Sequence, residues 1–367
     1  MANAPTKASR PPPRAPLPGP IEWLRENLFS SWGNAALTVV ALLILYWVVV
    51  PFVRWAFIDA AWTGTGRDDC LAFENGACWP FVSERIGQII YGFYDVTERW
   101  RVDLTLIGLA LGLLWLTMPG MPGKRPVGAV MVLAYPLIAF VLLAGGFGLE
   151  EVPTTRWGGL LMTLVVAFTG IVASLPLGIL LALGRRSELP VVKGLSVAFI
   201  ELWRGVPLVT VLFMAANMLP LFVGLSVNKL LAALIAVALF SSAYMAEVIR
   251  GGLQAIPKGQ YEAAAAMGLS YWRSMAFVIL PQALRLSLPN IVGNFIGLLK
   301  DTSLISIIGF FDLLGIVQAG ATDPEWATPN TALTGYAFVG AVFWAMCFGM
   351  SRYATHLEGV LGAGGRR

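Results

Sequence analysis

Eight runs of about 20 mostly apolar residues constrain this chain more than any other feature. They lie near 34–53, 104–122, 127–148, 158–183, 197–220, 230–249, 286–309 and 333–353. The second is uninterrupted only over 104–118. Hydrocarbon offers no partner to a peptide group, so a segment that crosses a bilayer must satisfy its own backbone. None of the runs alternates as a strand does. The expected fold is therefore an all-α integral membrane protein with about eight transmembrane helices. Composition agrees. Only 13% of residues are charged and 57% are hydrophobic, whereas a soluble domain carries about 25% charged residues.

The basic residues orient these helices. With the N-terminus in the cytoplasm, the inner segments hold 16 Lys and Arg and the outer segments 7, as the positive-inside rule requires. Five of the outer seven fall in one long loop, 54–103, where Asp and Glu outnumber them. Both termini are expected in the cytoplasm. The net charge of +4 then reports topology. Membrane lipid is the expected neighbour, and nothing points to nucleic acid. Residues 1–20 are rich in Pro and carry Arg10 and Arg14. They read as a polar tail rather than a cleaved signal, because the following apolar run is too long for a signal core and no small-residue cleavage pattern closes it.

The outer loop carries Cys70 and Cys78 in the stretch DDCLAFENGACW, with Gly76 between them to ease a turn. An oxidising compartment favours a disulfide there. A structural zinc site fits less well, since no second Cys pair or nearby His is at hand. Cys347, in the last run, reads as packing. No metal site is expected.

The chain is expected to divide into a tail (1–33), a three-helix region with the Cys loop (34–150) and a five-helix region (151–367). The third region holds the unusual polar residues. Its loop at 250–285 reads RGGLQAIPKGQYEAAAAMGLSYWRSMAFVILPQALR. Pro257 and Gly259 break the incoming helix. Glu262 to Met267 is strong helix-forming sequence. Gly268 permits a sharp turn, and Pro281 interrupts the next apolar run. A short helix lying on the membrane face is expected. The plain alternative is a surface loop, but breaker, Ala-rich helix, Gly and Leu-Pro in succession are more ordered than a linker needs.

That loop resembles the EAA loop of binding-protein-dependent ABC importer permeases. The pattern falls on Glu262, Ala263, Ala264, Gly268, Val278, Leu280 and Pro281, with Val278 where Ile is usual. Arg204-Gly205-Val206-Pro207-Leu208, Ala243 to Glu247 with Arg250-Gly251-Gly252, Gly259-Gln260 and Lys300 to Leu304 resemble the polar amino-acid branch. The resemblance covers about 155–358. The N-terminal three helices are similar to those of longer permeases of general L-amino-acid systems. It implies a five-helix type I importer core, and a coupling helix that docks on a cytoplasmic ATPase dimer. It also implies a second homologous permease subunit and a periplasmic amino-acid-binding protein. ATP and Mg would be bound by the ATPase, with no cofactor on this chain. The chain has no G-x-x-x-x-G-K-[ST] phosphate loop, and GMPGKR at 120–125 has the wrong spacing. It is expected to be a transport subunit, not an enzyme. The alternative is an ion-coupled secondary transporter, which would need coupling sites in broken helices.

Charges inside a membrane are costly and point to function. Glu201 and Arg204 are three apart on one helix, as are Glu247 and Arg250, so each pair can neutralise itself. Lys300 and Asp301 lie about 22 Å along a straight helix from Arg285, deep in the membrane or in its outer half. Adjacent residues do not face each other. With Thr302 and Ser303 they are candidates for the substrate path or its gate, as are Glu201, Arg204 and Glu247.

Overall fold

The computed structural model describes residues 19–73, 75–118, 120–223 and 228–363. Most of the expected tail, 1–18, lies outside the described residues. Contacts divide the chain into two compact units. One ends at Ala60 and includes Asn75–Ala77; the other begins at Ala61.

In the first unit, Pro20 opens a short helix, α1 (Pro20–Asn27). The Ser31 hydroxyl then accepts the Asn34 amide and caps α2 (Trp32–Val53). This helix is apolar on every face and none of its residues is buried, the pattern of a helix surrounded by lipid. A π-helical turn, Arg54–Ile58, follows it. The backbone here explains Gly76: a Cβ on it would sit 1.7 Å from the Asp59 carbonyl oxygen. Close approach of two backbones, not a positive φ, requires the glycine.

The second unit begins with two short helices, α3 (Arg67–Leu71) and α4 (Trp79–Tyr91). Next come α5 (Arg99–Thr117), then α6 (Lys124–Leu133) and α7 (Tyr135–Ala144). The last two are bent by 43° at their junction, where Pro136 lacks an amide to continue the ladder. The long α8 (Gly159–Arg185) leads to α9 (Pro190–Gly205). α10 (Leu208–Phe213) and α11 (Leu219–Val223) are joined by a π-helical turn. The run expected as one span at 197–220 is instead bent by 102° between α9 and α10, because Gly205 and Pro207 cannot carry a helix through. Asn228 caps α12 (Lys229–Gln254) through two backbone amides. After α13 (Lys258–Ala266), α14 (Tyr271–Ser274) runs through a π-helical turn into α15 (Leu280–Asp301). α16 (Leu313–Ala321) and α17 (Pro329–Ala363) complete the chain. Among the described residues, six helices are long and apolar enough to cross a membrane, and up to eight if each bent pair is one span.

Helix α12 is the hub of this unit and packs on α8, α9 and α15. Small residues bring the helices close, as lipid-embedded interfaces require. A Cβ on Gly170 of α8 would lie 2.9 Å from Val237 and 2.8 Å from Leu298. One on Gly178 would lie 2.7 Å from Met245. These two glycines let α8 lie against α12 along its length. At the end where α8 begins, Asp312 is fully buried and caps α16 by accepting the Gly315 amide (2.9 Å). Its other carboxylate oxygen has no partner among the described residues, and burial raises its pKa above the usual carboxylate range.

Candidate functional site

The loop expected to be functional does form a short helix. α13 starts after Pro257 and carries Gly259, Gln260, Glu262, Ala263 and Ala264. It ends in a left-handed cap: the Gly268 amide donates to the Ala265 carbonyl (2.9 Å) and the Leu269 amide to that of Ala264 (3.2 Å). This is the Schellman arrangement, which places a residue of positive φ just past the helix. Gly268 has φ +72, and nothing lies within 4 Å of where its Cβ would be. Its neighbour Met267 is 80% exposed. Glu262 and Ala263 are exposed too, while Ala264 is buried against the chain. The helix therefore rests on Ala264 and the half-buried Tyr261 and shows the rest of its surface. Val278 and Leu280 fall at the α14–α15 join, where both pack against the core, and Pro281 stands in the first turn of α15.

Four side chains root this helix, Gln260, Gln282, Arg186 and Tyr261, and sequence reasoning singled out only Gln260 as a coupling residue. Gln260 accepts a hydrogen bond from Gln282 of α15 (3.0 Å), which also donates to the Val278 carbonyl (2.8 Å). Arg186, just past the end of α8, donates to the Tyr261 hydroxyl (3.0 Å) and to the Leu253 carbonyl at the end of α12 (3.2 Å). Tyr261 itself donates to that carbonyl (3.2 Å), and the guanidinium lies 5.5 Å from the centre of its ring. Through these contacts α13 is tied to α8, α12 and α15 together. By sequence Arg186 is only one of the 16 basic residues of the inner segments. Two basic residues ending an apolar helix suit its dipole anywhere, and no local pattern names a partner 75 residues away.

The neighbouring Arg185 takes the opposite direction. It pairs with Glu247 of α12 (2.6 Å) and Glu201 of α9 (3.0 Å). Glu247 sits at the centre of the cluster, with its side chain 15% exposed, and also meets Arg250 (2.8 Å) and Arg204 (3.8 Å). The pairing of Glu201 with Arg204 does not form. Both sit on α9, but Arg185 and Glu247 reach them from other helices, and Arg204 lies beside the Tyr244 ring. The Glu247–Arg250 pair does form. Three helices are thereby clamped by two carboxylates and three guanidinium groups.

Lys300 and Asp301 are at the other end of α15, whose last residue is Asp301. No ion pair joins them among the described residues. A 3-10 turn, Thr302–Ile308, follows. The Thr302 hydroxyl donates to the Leu299 carbonyl (2.8 Å) and that of Ser303 to the Lys300 carbonyl (3.0 Å). Both thus bond back to their own helix. Thr302 is buried and Lys300 exposed.

Cys70 and Cys78 form a disulfide with Cα atoms 5.4 Å apart. The Cys78 amide donates to the Thr334 hydroxyl of α17 (2.8 Å). Arg85 of α4 pairs with Asp323, in the loop between α16 and α17. Its hydrogen bond holds the Asp323 carboxyl below the usual range.

Residues 174–359 match the family model described as "Binding-protein-dependent transport system inner membrane component". The chain is 48% identical to the inner membrane amino-acid ABC transporter permease protein YhdY of Escherichia coli (strain K12), over 98% of this chain and 96% of that one. It is 39% identical to the glutamate/glutamine/aspartate/asparagine transport system permease protein BztC of Rhodobacter capsulatus, over 96% and 95%. Among solved structures, an amino acid ABC transporter crystallised with histidines is 32% identical over 55% of this chain and 91% of that one, with a TM-score of 0.49. A matching membrane core, and relatives matched over nearly their whole length, lead to one conclusion: the chain belongs to the family of binding-protein-dependent inner membrane permeases of ABC importers.

Proposed function

We propose that this chain is the subunit through which an ATP-driven importer passes amino acids from a periplasmic binding protein to the cytoplasm. The observation that carries the reading is α13: a short helix, exposed on most of its surface, ended by Gly268 and rooted in α8, α12 and α15 at once. A helix so exposed and so tied has the form of a docking element that passes a push to several spans. On this reading both termini and α13 are cytoplasmic, and α13 seats in a groove of an ATPase dimer, which holds the ATP and Mg. Met267 and Ala263 face the groove and Glu262 meets a basic residue at its rim. A second, homologous permease chain supplies the other half of the pathway. The amino-acid cargo follows that of the two long relatives, both permeases of amino-acid transport systems.

The ion cluster then belongs to the gate at the cytoplasmic ends of α8, α9 and α12. Arg185 and Arg186 are adjacent, so a push on Tyr261 reaches Arg186 and, one residue away, the carboxylates that clamp the spans. At the far end of α15, Lys300 and Asp301 offer a cation and an anion to an amino-acid zwitterion. They are proposed to line the path or its outer gate, with Thr302 and Ser303 shaping the helix end. The test is reconstitution of the chain with its copurifying ATPase and binding protein. Amino-acid uptake should require ATP and the binding protein. Uptake driven by an ion gradient in ATPase-free vesicles would replace this reading with secondary transport.

A further inference from the structure

Helix α1 carries its charges on one side. At about 100° per residue, Glu22, Arg25 and Glu26 fall within an arc of about 100°, and Ile21, Trp23, Leu24 and the C-cap Leu28 within the opposite arc of about 160°. Asn27 also falls on the apolar side, but its amide donates to the Trp23 carbonyl of its own helix (2.9 Å). No residue of α1 is buried, and Ile21 is 83% exposed. Eight residues do not hold a helix in water by themselves, so this apolar side needs a surface outside the chain.

One hydrogen bond sets the level of α1. The Thr38 hydroxyl donates to the carbonyl of Leu28 (2.9 Å). Thr38 stands about 9 Å along α2 from Trp32, at about 1.5 Å per residue. Trp32 is 95% exposed at the start of an apolar helix, the level where indoles meet the headgroup region. The end of α1 therefore lies a turn or two inside that level. From there α1 does not run along α2, since every one of its side chains is exposed. Nor can it run deeper, because Glu22, Arg25 and Glu26 are costly in hydrocarbon. The plane of the interface remains, where an amphipathic helix sinks its apolar face about 5–10 Å into the headgroup–acyl boundary. We propose that α1 is an interfacial helix whose partner is the phospholipid bilayer: Ile21, Trp23 and Leu24 enter the acyl boundary, and Glu22, Arg25 and Glu26 stay in water. It gives α2, which has no buried residue, a fixed depth and rotation in the membrane. Two carboxylates against one guanidinium do not select anionic lipids, so the apolar contact carries the binding. The inference holds for either face of the membrane.

The test uses the chain purified with its accompanying subunits, in nanodiscs of phosphatidylethanolamine and phosphatidylglycerol. Ile21→Cys, Glu22→Cys, Leu24→Cys and Glu26→Cys, each combined with Cys347→Ala, carry an environment-sensitive fluorophore. Cys70 and Cys78 are held in their disulfide. Phospholipid with a nitroxide on an upper acyl carbon quenches from the membrane, and iodide quenches from water. The nitroxide lipid should quench positions 21 and 24 several-fold more than 22 and 26, and iodide several-fold less. Leu24→Glu should bring the fluorophore at 21 out to iodide, while Glu22→Gln should leave it where it is. Equal iodide access at all four positions would place α1 in water. Equal nitroxide quenching at all four would place it within hydrocarbon. Protection of 21 and 24 from both quenchers would mean that a protein subunit covers that side. Each of these three results overturns the proposal.

Discussion

Replacing Gly268 separates two physical reasons for a glycine at the end of α13. Its φ is +72, and no atom of the chain lies within 4 Å of a Cβ built on it. Within the chain, then, the obstacle to a side chain is the backbone conformation alone. A non-glycine residue pays roughly 1–2 kcal/mol in the left-handed region, which lowers the ratio of the capped form to its alternatives about 5- to 30-fold. Asn tolerates that region better than Ala and sometimes takes this position naturally. If the cap is what couples the helix to its partner, Gly268→Asn should transport better than Gly268→Ala, although its side chain is larger. Gly268→Val, β-branched, should be worst. If contact with the ATPase groove decides instead, loss should follow side-chain volume, and Ala should be the mildest. The assay is amino-acid uptake per ATP hydrolysed in proteoliposomes, with copurification of the ATPase as the control for assembly. An order of Ala above Asn would refute the backbone argument, and wild-type coupling in all three would remove α13 from the coupling path.

Further outcomes are expected elsewhere. Glu247→Gln should weaken the helix-end clamp by about 2–3 kcal/mol, since it strands guanidinium groups in a partly buried site, and thermal unfolding in detergent should read this as a lowered midpoint. Tyr261→Phe keeps the ring and removes the hydroxyl that Arg186 and Leu253 share; uptake per ATP should fall while ATPase copurification stays intact, and unchanged coupling would show that this contact only braces the loop. Lys300→Met and Asp301→Asn should lose uptake yet keep assembly and basal ATPase, whereas loss of assembly would assign them to bracing. Cys70 and Cys78 should resist alkylation until reduced, and removing the bridge should cost no more than about 2–3 kcal/mol; free labelling of unreduced cells would contradict it. Burial raises the pKa of Asp312, so its contribution is fully present below an unfolded pKa of about 3.9 and is lost as pH rises through the folded value. Asp312→Asn should flatten that part of the stability–pH curve, and an unaltered curve would exclude Asp312 as its source.

Much of this protein is written in local sequence. A bilayer core demands long apolar helices, so hydropathy alone foretold spanning segments up to the number eight. The breaker–helix–Gly succession at 257–268 marked α13 and its cap, because Pro and Gly act through their own backbone torsions. Glu247 with Arg250 was legible as a pair, because three residues on one helix are neighbours whatever surrounds them. Other features depend on what lies across a helix interface. The fifth run could be read as apolar but not as bent by 102°. Glu201 and Arg204 share the same favourable spacing as Glu247 and Arg250, yet they part because Arg185 and Glu247 approach from α8 and α12. Arg185 and Arg186 looked alike as two basic residues ending a helix. Only packing gave one to the ion cluster and the other to Tyr261, since adjacent side chains on a helix point about 100° apart and their partners lie 16 to 75 residues away.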